Sequence, residues 1–175
     1  MKKMRPVLVC FILSAFMAGC GYSTSAVSGR VKTIYVEPFR NKIAYDSETT
    51  RKIYIPLMEV KITNAVVDRF LFDGHLKIAK ENKADAILQG ELIDYQRDAL
   101  RYTDNEDVQE YRITISVSLK LFDPVKQEVI WSEPNFSGDT TYFVVGAQAK
   151  SESAAIEDAL KDLGRRVVER TIENW

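Results

Sequence analysis

Between Tyr111 and Leu121 the chain alternates without a break. Tyr111, Ile113, Ile115, Val117, Leu119 and Leu121 are apolar, while Arg112, Thr114, Ser116, Ser118 and Lys120 are polar. A period of two predicts a long strand with one buried and one solvated face, as in antiparallel sheets. The run from Ala84 to Tyr95 is apolar and rich in β-formers around Gly90, which marks either a bulge or a close approach of another group. Asp104-Asn105-Glu106-Asp107 between these runs reads as a hairpin tip, and Asp123-Pro124 turns the chain again. Glu128 to Ser132 and Thr140 to Val144 read as further strand, and Val31 to Val36 as an earlier one ended by Pro38. Arg40 to Lys52 is polar and reads as a loop.

Two stretches carry the helical period instead. Met58, Ile62, Ala65, Val66 and Phe70 form one stripe, with Pro56 suited to the first turn and Asp73-Gly74 as the stop. Ile156, Leu160, Leu163 and Val167 form the other, within a helix predicted from Ser151 to Ile172. Its acids Glu152, Glu157 and Asp158 lie towards the start and Arg165, Arg166 and Arg170 towards the end, which complements the helix dipole. The order strand, helix, strands, helix predicts an α+β fold. Its two helices would pack on one face of a mostly antiparallel sheet, in two layers. No internal repeat is present.

The first residues follow a different logic. Lys2, Lys3 and Arg5 precede an apolar run from Val7 to Met17, and the small residues Ala18 and Gly19 lead to Cys20. This is the plan of a secretory signal peptide, and the run is too short to span a bilayer as a helix. Met17-Ala18-Gly19-Cys20 resembles the bacterial lipobox. That resemblance implies removal of residues 1–19 and acylation of Cys20 at its thiol and new amino terminus, palmitate included. The alternative is an ordinary signal peptide in which Cys20 is incidental. Residues 20–30 then form a lipidated tether and residues 31–175 a single domain. Gly21 rather than Asp after the cysteine points, by the enteric sorting rule, to the outer membrane.

Processing alters the composition. Of 175 residues, 156 remain once 19 are removed, and 21 basic against 25 acidic residues give a formal charge of −4. Such a chain has no basic excess for nucleic acid. Cys10 leaves with the leader, so with Cys20 acylated no thiol remains for a disulfide, a metal or nucleophilic catalysis. About 150 residues suffice to bury a core without such staples.

Candidate chemistry is sparse. His75 stands alone in a turn, and no hydrolase elbow, phosphate loop, dinucleotide fingerprint or zinc motif occurs. Asp104, Glu106 and Asp107 lack the spacing of a calcium loop. Asp85, Glu91 and Asp94 could furnish a carboxylate pair, but nothing in their spacing places two at one cleft. A periplasmic hydrolase would need that cleft. The chain reads as a non-enzyme with no cofactor and no metal.

Lys32-Thr33-Ile34-Tyr35-Val36-Glu37-Pro38-Phe39-Arg40-Asn41-Lys42, Ala84-Asp85-Ala86-Ile87-Leu88-Gln89-Gly90, Glu110-Tyr111-Arg112 and Trp131 follow Cys20-Gly21-Tyr22 in that order. Together they resemble the LPS-assembly lipoprotein family LptE, across essentially the whole mature chain. The resemblance implies an outer-membrane lipoprotein of the Gram-negative envelope. It would plug and help assemble an LptD-type β-barrel and bind lipopolysaccharide (LPS) on its way to the surface. Its location would be the periplasmic side of the outer membrane and the barrel lumen. The family's basic LPS contacts carry over to Arg101, beside the hairpin, and Lys150, just before the last helix. Arg112 and Lys120 on the polar sheet face are added from the alternation alone. A second reading is a lipid-anchored subunit of another envelope complex that does not handle LPS.

Overall fold

A computed structural model describes residues 31–43 and 55–173. The leader, Cys20 and the tether lie outside the described residues, as does most of the loop expected between Arg40 and Lys52. Among the described residues, six strands and two α-helices make an α+β fold in the predicted order: β1 (Thr33–Val36), β2 (Arg40–Asn41), α1 (Met58–Asp73), β3 (Lys77–Ile78), β4 (Ala86–Tyr102), β5 (Val108–Asp123), β6 (Glu128–Phe143) and α2 (Glu152–Glu173). The sheet order is β3-β1-β4-β5-β6, with β2 also on β4. The long strands pair antiparallel, while β1, β2 and β3 pair in parallel.

Both helices cover the same sheet face. Met58, Ile62, Val66 and Phe70 of α1 and Ile156, Leu160, Leu163 and Val167 of α2 are buried with Ile34, Leu88, Leu92, Ile113, Ile115, Val117, Leu119 and Leu121. The alternation in β5 is borne out residue by residue, with its odd positions under the helices. Gly74 ends α1 in the left-handed conformation at φ 77°, where glycine carries no Cβ penalty. Two glycines admit close contacts. A Cβ on Gly138 of β6 would stand 2.6 Å from Leu163 Cβ and closer still to the α2 backbone. A Cβ on Gly164 would lie 2.8 Å from the Ala65 carbonyl oxygen of α1. Gly90 is the close approach rather than the bulge, since the Phe39 ring lies directly upon it.

Three sequence expectations change. Strand β4 does not stop at Tyr95 but runs to Tyr102, because its polar second half is paired with β5 throughout. Glu128 to Ser132 and Thr140 to Val144 are not separate strands. They belong to one β6, and an irregularity between Val117 and Leu119 of β5 accommodates Pro134. Arg40 and Asn41 are not loop but strand β2, paired with Glu91 and Leu92.

β6 is the outermost strand, bonded to β5 on one side only. On its free side the Asp139 amide donates to Asp162 Oδ2 at 3.1 Å, and the Phe143 carbonyl accepts from the Lys150 amide at 2.8 Å.

Asp85 fastens β1 to the chain that leads into β4. Its Oδ2 accepts from the amides of Lys32 and Thr33 and from the Thr33 hydroxyl, each at 2.9 Å. Those bonds, the Lys32 amide first and the Thr33 hydroxyl next, hold its carboxyl below the ordinary carboxylate range. A depressed folded-state pKa means stability that is full at neutral pH and lost as pH falls through the carboxylate range, below about 4. Asp85→Ala should cost about 1.5–3 kcal/mol at pH 7. Urea unfolding at pH 7 and pH 3 should show a smaller loss at the acid pH. An equal loss at both would remove the ionised clip.

Candidate functional site

The end of the sheet at the β4–β5 hairpin is where the predicted LPS contacts converge. Arg101 of β4 pairs across to Glu110 of β5, Glu110 to Phe143 of β6, and Phe143 bridges to Ala149, next to Lys150. One transverse rank thus joins Arg101 to the Lys150 segment over three strand spacings, about 14 Å of backbone. Arg112 lies along the same strand near this end, 3.9 Å from Asp139. Lys120 does not join them. Eight residues further along β5, about 27 Å away, it lines a shallow groove with Glu37, Arg40, Gln89 and Glu91.

Each converging cation is held by a carboxylate, and the two arrangements differ. Arg101 meets Glu110 Oε2 through Nε at 3.0 Å, and the Glu110 side chain is only 10% exposed. Lys150 donates to Asp158 Oδ2 at 3.0 Å, in the open, and this bond keeps the Asp158 carboxyl below its ordinary range. Glu110 stands in the motif quoted above, yet its partner could not be read there, because register is a property of the folded pair. Asp158 is the i+8 neighbour of Lys150, and only the turn into α2 brings them together. Apolar side chains are exposed at the same end: Leu100, Tyr102 and Val145. Exposed Leu100 and Tyr102 flanking Arg101 in a polar hairpin were the available sequence signal for an amphiphilic surface.

Behind the rank, on the helix side, lies an aromatic brace. Arg97 is ion-paired to Glu152 in the first turn of α2, and its guanidinium sits 4.9 Å from the centre of the Tyr111 ring. Tyr111 stacks on Tyr142 at 5.8 Å, and the Tyr95 hydroxyl donates to Glu152 Oε1 at 3.2 Å. Burial, and after it the Glu152 charge, pushes the Tyr95 phenol well above the ordinary range. The brace fixes the start of α2, and with it Lys150, against the hairpin.

The catalytic candidates do not assemble. Asp85 is the β1 clip, Glu91 pairs with Lys42 at 2.8 Å, and Asp94 faces Ser116 on the open sheet face. His75 is exposed and contacts Asp73 Oδ1 through Nδ1 at 2.6 Å. Asp104 and Asp107 lie in the hairpin turn, where Glu106 takes a positive φ of 64°. Among the described residues no three His, Cys, Asp or Glu side chains gather as metal ligands, and no helix is long and apolar enough to cross a membrane.

The family model described as LptE, lipopolysaccharide-assembly, matches residues 31–171. No curated protein matches the chain in sequence. Solved structures share its fold at low identity. A Xanthomonas campestris protein is 16% identical, with 80% of this chain and 83% of that one covered and a TM-score of 0.59. A hypothetical protein of Chlamydia trachomatis is 13% identical, with 81% and 95% covered and a TM-score of 0.52. A minor lipoprotein of Acinetobacter baumannii is 13% identical, with 81% and 92% covered and a TM-score of 0.50.

Proposed function

As the chain belongs to the lipopolysaccharide-assembly family LptE, we propose that it is an outer-membrane lipoprotein subunit of LPS transport that plugs an LptD-type β-barrel and binds LPS. In this reading residues 1–19 are removed, Cys20 is acylated, residues 20–30 are the tether and residues 31–175 the working domain. Several acyl chains give stable attachment where one alone is marginal. The protein carries no chemistry. It binds and fills space.

The observation that carries the reading is the hairpin end. There one transverse rank links Arg101 to the segment that carries Lys150, and Leu100, Tyr102 and Val145 are exposed at the same end. A ligand suited to it joins anionic groups to apolar chains, and LPS is such an amphiphile. The sheet face away from the helices is lined by Gln89, Glu91, Asp94, Gln96, Thr114, Ser116 and Ser118. A polar face of this kind suits the polar interior of a large barrel.

Recovery of a C-terminally tagged protein from gently solubilised outer membranes tests the partnership. The expected result is a large β-barrel in roughly stoichiometric amount that survives washing. Intact, membrane-bound protein that brings down no barrel would overturn the assignment and favour another envelope complex.

A further inference from the structure

The end of the sheet opposite the hairpin is the one that the tether reaches. Thr33 pairs with Lys77, the Lys77 amide donates to the Lys32 carbonyl at 3.0 Å, and Lys77 follows the end of α1 by four residues. The last turn of α1 and the entry of the chain at Val31 are therefore neighbours. That turn carries Phe72, 80% exposed, and Leu71, 63% exposed. The β5–β6 turn reaches the same end through the pairing of Ile87 with Phe122, and it presents Val125 at 86% exposure. The Arg69 guanidinium lies over the Phe72 ring at 5.2 Å. Lys77 and Lys83 make no ion pair among the described residues, and the Lys83 carbonyl oxygen lies 3.3 Å from Thr33 Oγ1, which places Lys83 here too. Of the acids at this end, Asp73 contacts His75 and Asp85 holds the β1 amides, while Asp68 and Glu81 are exposed.

We propose that this end is a membrane contact: Phe72 and Leu71 enter the interfacial layer of the bilayer that holds the Cys20 anchor, with Arg69, Lys77 and Lys83 at the headgroups. The proposal rests on the lipid-anchor reading. Residues 20–30 span at most about 38 Å when fully extended, so Val31 never leaves the headgroups by more than that. At so short a range, a weak surface contact is held at an effective concentration of order mM. Exposed aromatic and aliphatic side chains with cations beside them have the composition of an interfacial contact. The hairpin end lies a full β4 length away, about 50 Å, and is left to the barrel and the ligand.

The mature chain has no free thiol once Cys20 is acylated, so single labels are simple to place. Lipidated protein carrying Phe72→Cys or Val60→Cys is labelled with an environment-sensitive fluorophore. It is then bound to phosphatidylethanolamine–phosphatidylglycerol vesicles that contain a spin-labelled lipid quenching near the headgroups. Val60 is exposed twelve residues back along α1, about 18 Å away. The expected result is brightening and quenching at position 72, with position 60 remaining as in water. Protein that floats with the vesicles but leaves position 72 unquenched overturns the membrane contact while preserving the anchor. A label at 72 that turns apolar only when the purified barrel is added also overturns it, in favour of a protein partner. Protein that does not float at all removes the anchor itself.

Discussion

Gly138→Ala is expected to cost about 3 kcal/mol of folding stability, towards the upper end of what overpacking does. The added methyl group would meet Leu163 N, Cα and Cβ together, and two of those atoms are α2 backbone, which no rotamer change can move. The helix would have to lift from β6, and Leu163, fully buried, would lose its close seat on the strand. For a domain of this size the loss corresponds to a fall in Tm of roughly 6–12 °C. Far-UV circular dichroism during heating or urea unfolding reads it directly. Gly146→Ala is the matched comparison, because no atom lies within 4 Å of its Cβ position and only its φ of 89° resists the change, at about 1 kcal/mol. If the Gly138 variant is no less stable than the Gly146 variant, the close crossing of α2 over β6 is wrong.

Under the proposed function, Lys150→Ala should weaken LPS binding about tenfold to a hundredfold, the value of one or two charge-assisted hydrogen bonds of about 1.5–3 kcal/mol. The pairing in the free protein decides which further variants help or harm. Lys150 is exposed and Asp158 only half-buried, so their ion pair is worth at most about 1 kcal/mol and a phosphate can displace the carboxylate. Asp158→Asn should therefore leave binding intact or tighten it. Arg101 cannot exchange in that way. Abandoning Glu110 would leave a charge in a nearly buried side chain, a cost of several kcal/mol. In the proposed site Arg101 keeps Glu110 at Nε and offers its two terminal amino groups to the ligand, a fixed planar fork that lysine lacks. Arg101→Lys should thus impair binding almost as much as Arg101→Ala. Titration of purified LPS at fixed salt distinguishes these outcomes, and full binding by the lysine variant would exclude the shared-guanidinium arrangement.

The elements that could be read in the sequence are those whose burial is one-sided. β5 and both helices carry a clean period because one face meets the core and the other meets water. β6 could not be read as one strand, since Pro134, Asn135 and Gly138 break its pattern, and it persists only because β5 pairs with it along its length. The same holds for β4 beyond Tyr95, where Gln96, Arg97 and Asp98 are exposed and only hydrogen bonding to β5 keeps the strand extended. For the proposed site, the sequence offers candidate residues but not their partners. Arg101 and Lys150 could be named, but the Glu110 and Asp158 contacts depend on register and on the turn into α2. Among the motif residues, Asp85 and Gly90 turn out to serve assembly: one clips β1, and the other seats Phe39.

The outer margin of β6 bears on solubility before any partner is met. A sixteen-residue strand with one unpaired side is a natural template for a second molecule to copy. Here Pro134 offers no amide, Glu133 and Asp139 put charge along the rim, and Asp162 and Lys150 already occupy one donor and one acceptor on that side. A neighbouring chain would find an interrupted ladder with charge to desolvate. The protein can therefore reach high local concentration without seeding sheet-to-sheet polymers.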